Sequence, residues 1–274
     1  MPGAEQKAIS VASPRALATF LSVTFVSSWS CWIAAGVLGG GIGDVLAISG
    51  RFGPLLGAVV ATVAVDRRSF RDFVLERLGS LAPWWLWPLA LLSPALVVLT
   101  ALAVAAASGD TLGEFNDLAT LYLIVPAFVG VLALGGPLGE EAGWRGLALD
   151  PMQARLGPLW ASVLLGLVWG LWHLPLFLDA TQVQHGLPLA VYLGQTTATS
   201  FVYTWVWNRS TSLPLVIALH TSTNLSAGVF PLLVPEAASQ RPFVVAVLLS
   251  AVAALALVLG TRGSLGYSAR TVRG

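Results

Sequence analysis

The sequence has 274 residues, of which 56% are hydrophobic and only 10% are charged, and its mean hydropathy is +0.81. Water-soluble domains carry about 25% charged residues, so this composition excludes an ordinary soluble domain and predicts a polytopic membrane protein. The single cysteine, Cys31, excludes a disulfide framework within the sequence. A net charge of +1 says little about partners, and nucleic acid is not an expected one.

Apolar stretches follow one another along nearly the whole chain. Each is close to the ~20 residues that cross the hydrocarbon core as a helix, and the alternation typical of a membrane barrel is absent. About eight such stretches occur: roughly 16–38, 45–65, 84–107, 118–138, 158–178, 187–207, 213–233 and 242–260. The predicted fold is therefore all-α, with about eight transmembrane helices around a polar intramembrane cavity. No linker interrupts the chain, so we expect one domain over 1–274, with a motif-bearing core at about 118–233.

Basic residues predict the orientation of these helices. Most arginines fall in alternate connections, whereas the connection that holds Asp110, Glu114 and Asp117 has none. Only Arg51 and Arg241 would lie outside. Because cytoplasmic loops are rich in Lys and Arg, both termini are predicted to be cytoplasmic, in an inner or plasma membrane.

Two adjacent acids and one arginine directly follow the fourth apolar stretch, in the string GGPLGEEAGWRG. A charged group near the bilayer centre costs about 2.5 to 3.5 kcal/mol or more, so it usually has a partner or a function. Glu141 and Arg145 are four residues apart and can pair on one helix face, whereas Glu140 is rotated away by about 100°. Glu141 and Arg145 are therefore expected to form a structural ion pair, which leaves Glu140 for chemistry.

Three further polar residues are predicted to reach the level of Glu140. Glu140 precedes the expected turn at Gly157 by 17 residues, and His173 follows it by 16, so the two would stand at similar heights on antiparallel helices. His220 and Asn224 share a face of the helix that follows the next inner turn and lie at a comparable depth. Trp169 and His173 share a face by the same four-residue spacing.

Such a group of side chains suits the activation of water for amide hydrolysis. Glu140 would act as the general base, and His173 would hold the water or share its proton. His220 and Asn224 would donate hydrogen bonds to the tetrahedral oxyanion. Neither a serine nor a cysteine nucleophile is required.

These motifs resemble those of the CAAX protease and bacteriocin-processing family, also called the Abi family of intramembrane proteases. Its pattern of Glu-Glu-x-x-x-Arg, Phe-x-x-x-His and His-x-x-x-Asn or Asp matches Glu140, Glu141 and Arg145, then Trp169 and His173, then His220 and Asn224, with Trp169 in place of the usual phenylalanine. The resemblance runs from about residue 44 to about 233. It implies an eight-helix fold and an endopeptidase; eukaryotic members remove the last three residues of prenylated CAAX proteins, and bacterial relatives serve bacteriocin maturation or self-immunity.

Several alternatives stay open at this stage. The protein could be a non-catalytic immunity or regulatory scaffold of the same family, and a small-solute transporter that uses the polar sixth stretch is a weaker third reading. A metal-free mechanism is favoured and no cofactor is identified, but Glu140, His173 and His220 could form a zinc set. The expected partners are the bilayer and a membrane protein or peptide substrate, whose identity and prenylation the sequence does not give.

Overall fold

Helices make up nearly all of the computed structural model, which describes residues 11–78, 82–109, 122–233 and 241–268, and no strand occurs in those ranges. The helices, in chain order, are α1 (Pro14–Leu38), α2 (Gly40–Gly50), α3 (Gly53–Val60), α4 (Phe70–Leu78), α5 (Leu86–Ala107), α6 (Ile124–Leu134), α7 (Pro137–Gly143), α8 (Asp150–Trp172), α9 (Leu189–Ser210), α10 (Leu213–Leu233) and α11 (Arg241–Gly260). Short π-helical segments, Ala61–Val65 and Trp144–Leu149, extend α3 and join α7 to α8, and a 3₁₀ turn, Leu174–Leu178, follows α8.

The prediction of an all-α polytopic membrane protein is confirmed. Among the described residues, four helical stretches are long and apolar enough to cross a membrane: α1, α5, α11 and the stretch Pro137–Trp172, which is interrupted at Gly157; the bent pair of α2 and α3 would make a fifth. The predicted number of eight is not confirmed. The remaining predicted spans fall on α6, which has only 11 residues, on α9, which is rich in hydroxyl and amide side chains, and on α10.

The predicted orientation rests in part on residues outside the described ranges. The acidic connection with Asp110, Glu114 and Asp117 and both ends of the chain lie outside the described residues. The cytoplasmic location of the termini therefore stays a prediction.

Two helices stop part-way through the molecule and create the space in which polar groups lie. α2 and α6 each have 11 residues, about 16 Å of helix. The chain bends by 49° between α2 and α3, and α6 stops before Gly136, whose φ of +108° suits glycine. A sequence that contains Gly135, Gly136 and Pro137 cannot continue one regular helix, so α7 starts afresh with its proline in the first turn.

The predicted turn after the acidic motif is present at Gly157. Its φ and ψ of +73° and 162° are not helical, so the chain reverses direction at Gly157, just before Pro158. From that turn α8 packs against α9, because Gly166 and Gly170 let the two backbones approach: a Cβ on Gly166 would lie 2.5 Å from the Cα of Thr197. This contact sets the position of the residues at the end of α8.

The basic stretch before α5 contains the helix α4. Arg77 does not face a membrane surface, since its side chain is 2% exposed and donates to the carbonyls of Gly146 and Phe73 at 2.6 and 2.9 Å. Burial lowers the pKa of Arg77 to about 10. α4 therefore holds the π-helical segment that follows the acidic motif.

Candidate active site

The polar residues singled out in the sequence come from three helices that meet in the protein interior. Glu140 lies on α7, His173 directly follows α8, and His220 and Asn224 lie on α10. Exposed fractions are 3% for Glu140, 9% for His173 and 2% for His220, while Asn224 is half-buried. Their catalytic roles stay predictions, but the structure places the three helices that carry these residues close together.

Glu140 is held by the indole of Trp169. The Nε1–H of Trp169 donates to Glu140 Oε2 at 2.7 Å, a short bond of the kind expected when the acceptor is charged. The sequence placed Trp169 only on the same helix face as His173. A phenylalanine at this position could not make the bond.

Glu141 points to different partners from those of Glu140, as the 100° rotation requires. The predicted ion pair with Arg145 is present, with Arg145 Nη1 at 3.0 Å from Glu141 Oε1, and neither side chain is exposed. His220 Nδ1 also lies 2.7 Å from Glu141 Oε1, a contact that the sequence did not reveal. Glu141 thus links the first motif to the third.

The guanidinium of Arg145 also lies between two aromatic rings. Its Cζ is 4.7 Å from the ring centroids of both Trp169 and Tyr203, a distance at which cation–π attraction is effective. Arg145 Nε and Nη2 have no hydrogen-bond partner in the described part of the chain. The two rings therefore stabilise the part of the guanidinium that makes no hydrogen bond.

Both histidines use Nδ1 for a structural contact. The Nδ1 of His173 lies 2.9 Å from the carbonyl oxygen of Trp169, and a carbonyl can only accept, so Nδ1 carries the proton there. The Nδ1 of His220 faces an acceptor carboxylate in the same way. In each ring Nε2 is left for other partners.

The carbonyl groups at the end of α6 hold two more polar side chains. Asn224 Nδ2 donates to the carbonyl of Gly135 at 3.4 Å, and Arg51 Nη1 donates to that of Leu134 at 3.0 Å. The last carbonyls of a helix have no partner within it, so the break after α6 supplies these acceptors. Arg51, which the sequence analysis counted only as an exception to the charge rule, adjoins the site.

A zinc set of Glu140, His173 and His220 was the alternative to a metal-free site. Within the described ranges, no three His, Cys, Asp or Glu side chains are grouped so that they could hold a metal ion. The donor groups as placed do not fit zinc, and the mechanism proposed for this site uses no metal.

Comparison with known proteins shows two similarities. Residues 121–226 match the family described as type II CAAX prenyl endopeptidase, Rce1-like, and this segment contains all seven motif residues. The chain is also 28% identical over 225 residues to "CAAX prenyl protease 2" of Methanococcus maripaludis, a match covering 76% of this chain and 82% of the relative. The matched segment and the relative together show that the chain is similar to the Rce1-like type II CAAX prenyl endopeptidases and indicate a peptide hydrolase.

Proposed function

We propose that this protein removes the C-terminal residues of a membrane-associated protein or peptide by hydrolysing one peptide bond with a water molecule that Glu140 activates. The observation that supports this most is the buried pair of Glu140 and Trp169 beside the two histidines. A carboxylate held by one donor through Oε2 can direct its other oxygen, Oε1, toward a water.

The proposed reaction begins with proton transfer. Glu140 takes a proton from the water, which Nε2 of His173 holds as an acceptor, and the hydroxide attacks the scissile carbonyl carbon. The carbonyl π bond opens, and its electron pair becomes the oxyanion of a tetrahedral intermediate.

His220 and Asn224 then stabilise the oxyanion by donating hydrogen bonds. Because Nδ1 of His220 is engaged with Glu141, donation from Nε2 needs a ring protonated on both nitrogens, with Glu141 as its counter-ion. Asn224 has a second amide hydrogen besides the one directed at Gly135. Collapse of the intermediate breaks the C–N bond, and protonated Glu140 gives its proton to the leaving amine.

A substrate ending in a CAAX-type tail is the proposal that the family resemblance favours. The name of the Methanococcus maripaludis relative refers to prenylated CAAX substrates. Whether this chain requires the prenyl group is part of the test. Bacteriocin processing, which the sequence resemblance also suggested, has no support among these comparisons.

Cleavage by the purified protein in lipid tests the proposal. The substrates are membrane-anchored peptides with CAAX-type ends, with and without a prenylated cysteine, and mass spectrometry identifies the products. We expect cleavage by the wild-type protein and a loss of about 10²- to 10⁴-fold in Glu140→Gln, the usual contribution of a general base.

Asp72→Asn is the matched control, because Asp72 belongs to α4 and lies at the exposed ion pair with Arg71. It should retain wild-type rates. Equal activity of Glu140→Gln and the wild type, or no cleavage of any peptide, would contradict the proposed function and favour a non-catalytic scaffold.

A further inference from the structure

Arg51 is a basic residue inside an apolar region, at the bend between α2 and α3. α2 accounts for about 16 Å of chain between the α1–α2 turn and Arg51, so the residue is far from the end of the helical hairpin. A charge at such depth is costly unless it has a partner or a function. The positive charge therefore needs an explanation beyond membrane topology.

Close packing places Arg51 next to Glu140. A Cβ on Gly139 would lie 2.9 Å from the carbonyl oxygen of Arg51, and a Cβ on Gly136 would lie 3.8 Å from the Cβ of Arg51 while also touching Glu140 Oε1. The guanidinium also interacts electrostatically with Glu140 and His173. Arg51 is thus a cation at the edge of the candidate active site.

The hydrogen bonds of Arg51 use only part of its donor capacity. One donor, Nη1, binds the carbonyl of Leu134, and among the described residues no acid lies within salt-bridge distance of the guanidinium. A guanidinium has five N–H donors in a planar fork that matches a carboxylate. The side chain is half-buried rather than enclosed, so a ligand can approach it.

We propose that Arg51 binds the terminal carboxylate of the peptide substrate. This inference rests on the proposed function, in which the leaving fragment is the C-terminal end of a chain. Because Arg51 is packed beside Glu140, a carboxylate that binds its guanidinium would hold the end of the substrate chain at the edge of the site. Arg51 would then select free C-terminal ends.

The test compares a membrane-anchored peptide that has a free C-terminal carboxylate with the same peptide as its C-terminal amide. Because hydrogen bonds to charged groups are the stronger ones, we expect the wild-type kcat/KM for the acid to exceed that for the amide by about 10- to 100-fold. Arg51→Gln should reduce this ratio to near 1 through slower cleavage of the acid alone.

Arg241→Gln, at the exposed start of α11, is the matched control and should keep the wild-type ratio. Equal wild-type cleavage of acid and amide would overturn the carboxylate site and leave the proposed function standing. Equal losses on both peptides in Arg51→Gln would assign Arg51 to the helix break or the oxyanion instead. If Arg51→Gln does not fold, the wild-type ratio still decides; if neither peptide is cleaved, both proposals fall.

Discussion

Trp169 contacts four other motif residues of the candidate site. Its indole binds Glu140, its carbonyl binds His173, and its ring lies beside Arg145 and His220. A single side chain therefore contacts the proposed base, the imidazole proposed to hold the water and the proposed oxyanion donor. Its replacement by the phenylalanine usual in the resembling family isolates the effect of one N–H donor.

Trp169→Phe should lower kcat by about 10- to 100-fold with little change in KM, since a hydrogen bond to a charged group contributes about 1.5 to 3 kcal/mol. Steady-state peptide cleavage measures this. Trp144→Phe is the control, because Trp144 is also fully buried and its Nε1 has no partner among the described residues. Equal effects of the two substitutions would show that lost packing, rather than the hydrogen bond, explains the result.

Arg145→Ala should reduce folded yield and thermal stability more than activity per folded molecule. The substitution leaves the fully buried Glu141 without its cation, and loss of one partner of a buried pair costs about 3 to 5 kcal/mol. Thermal unfolding in detergent measures the change. Arg68→Ala disrupts the partly exposed pair with Glu76 and should cost about 1 kcal/mol or less; a similar loss in both variants would argue against the structural role of Arg145.

His220→Ala distinguishes the metal-free mechanism from the zinc alternative. If His220 donates to the oxyanion, kcat should fall by about 10²- to 10³-fold, and a chelator should leave wild-type cleavage unchanged. Elemental analysis of the purified protein accompanies the assay. Stoichiometric zinc with chelator-sensitive cleavage, and loss of that zinc in His220→Ala, would contradict the metal-free mechanism.

At the level of single residues, the sequence predicted which side chains share a helix face better than it predicted which side chains meet across helices. The four-residue interval correctly paired Glu141 with Arg145 and separated Glu140 from both. It could not show that His220 bonds Glu141, because that contact depends on how α10 is rotated toward α7. Arg51 was placed only on the outer side, because the distribution of basic residues predicts the side of the membrane. It does not give the depth of a residue within a bent helix.

Breaks in the helices provide the polar groups of the site within the hydrophobic bundle. α6 stops at Leu134 and α2 stops at Gly50, and the carbonyls at the end of α6 accept hydrogen bonds from Asn224 and Arg51. The positions of Gly135, Gly136 and Pro137 explain the break before α7. The short length of α6 was not predicted, because an apolar stretch continues beyond the helix on both sides.

The contact between α8 and α9 gives a prediction at this scale. Gly166→Ala should destabilise the protein by about 1 to 3 kcal/mol, since the new Cβ would meet the backbone of Thr197 and Thr196 and overpacking has this cost. Thermal unfolding in detergent is the measurement.

Gly194→Ala is the matched control, because Gly194 is also helical but nothing lies within 4 Å of its added Cβ. It should be neutral or stabilise by up to about 1 kcal/mol, the difference in helix propensity. If both alanines destabilised the protein alike, close packing of α8 on α9 would not explain the glycine.

The whole molecule combines a hydrophobic exterior with a buried polar interior. Large apolar side chains such as Val252 and Leu259 of α11 are 63% and 67% exposed, as expected for helices that face lipid. Composition alone was enough to predict this membrane class. The number of spans could not be read from hydropathy, because bent and short helices share apolar stretches with complete ones.

The central claim is that the protein shortens the C-terminal ends of membrane-associated proteins through Glu140. The most direct measurement compares the C-terminal peptides of membrane proteins from cells that carry the wild-type protein with those from cells that carry equal amounts of Glu140→Gln. The account predicts at least one protein whose C-terminus is longer in the variant cells, by the three residues of a CAAX-type tail. Identical termini in the two sets of cells, with both proteins folded in the membrane, would contradict it.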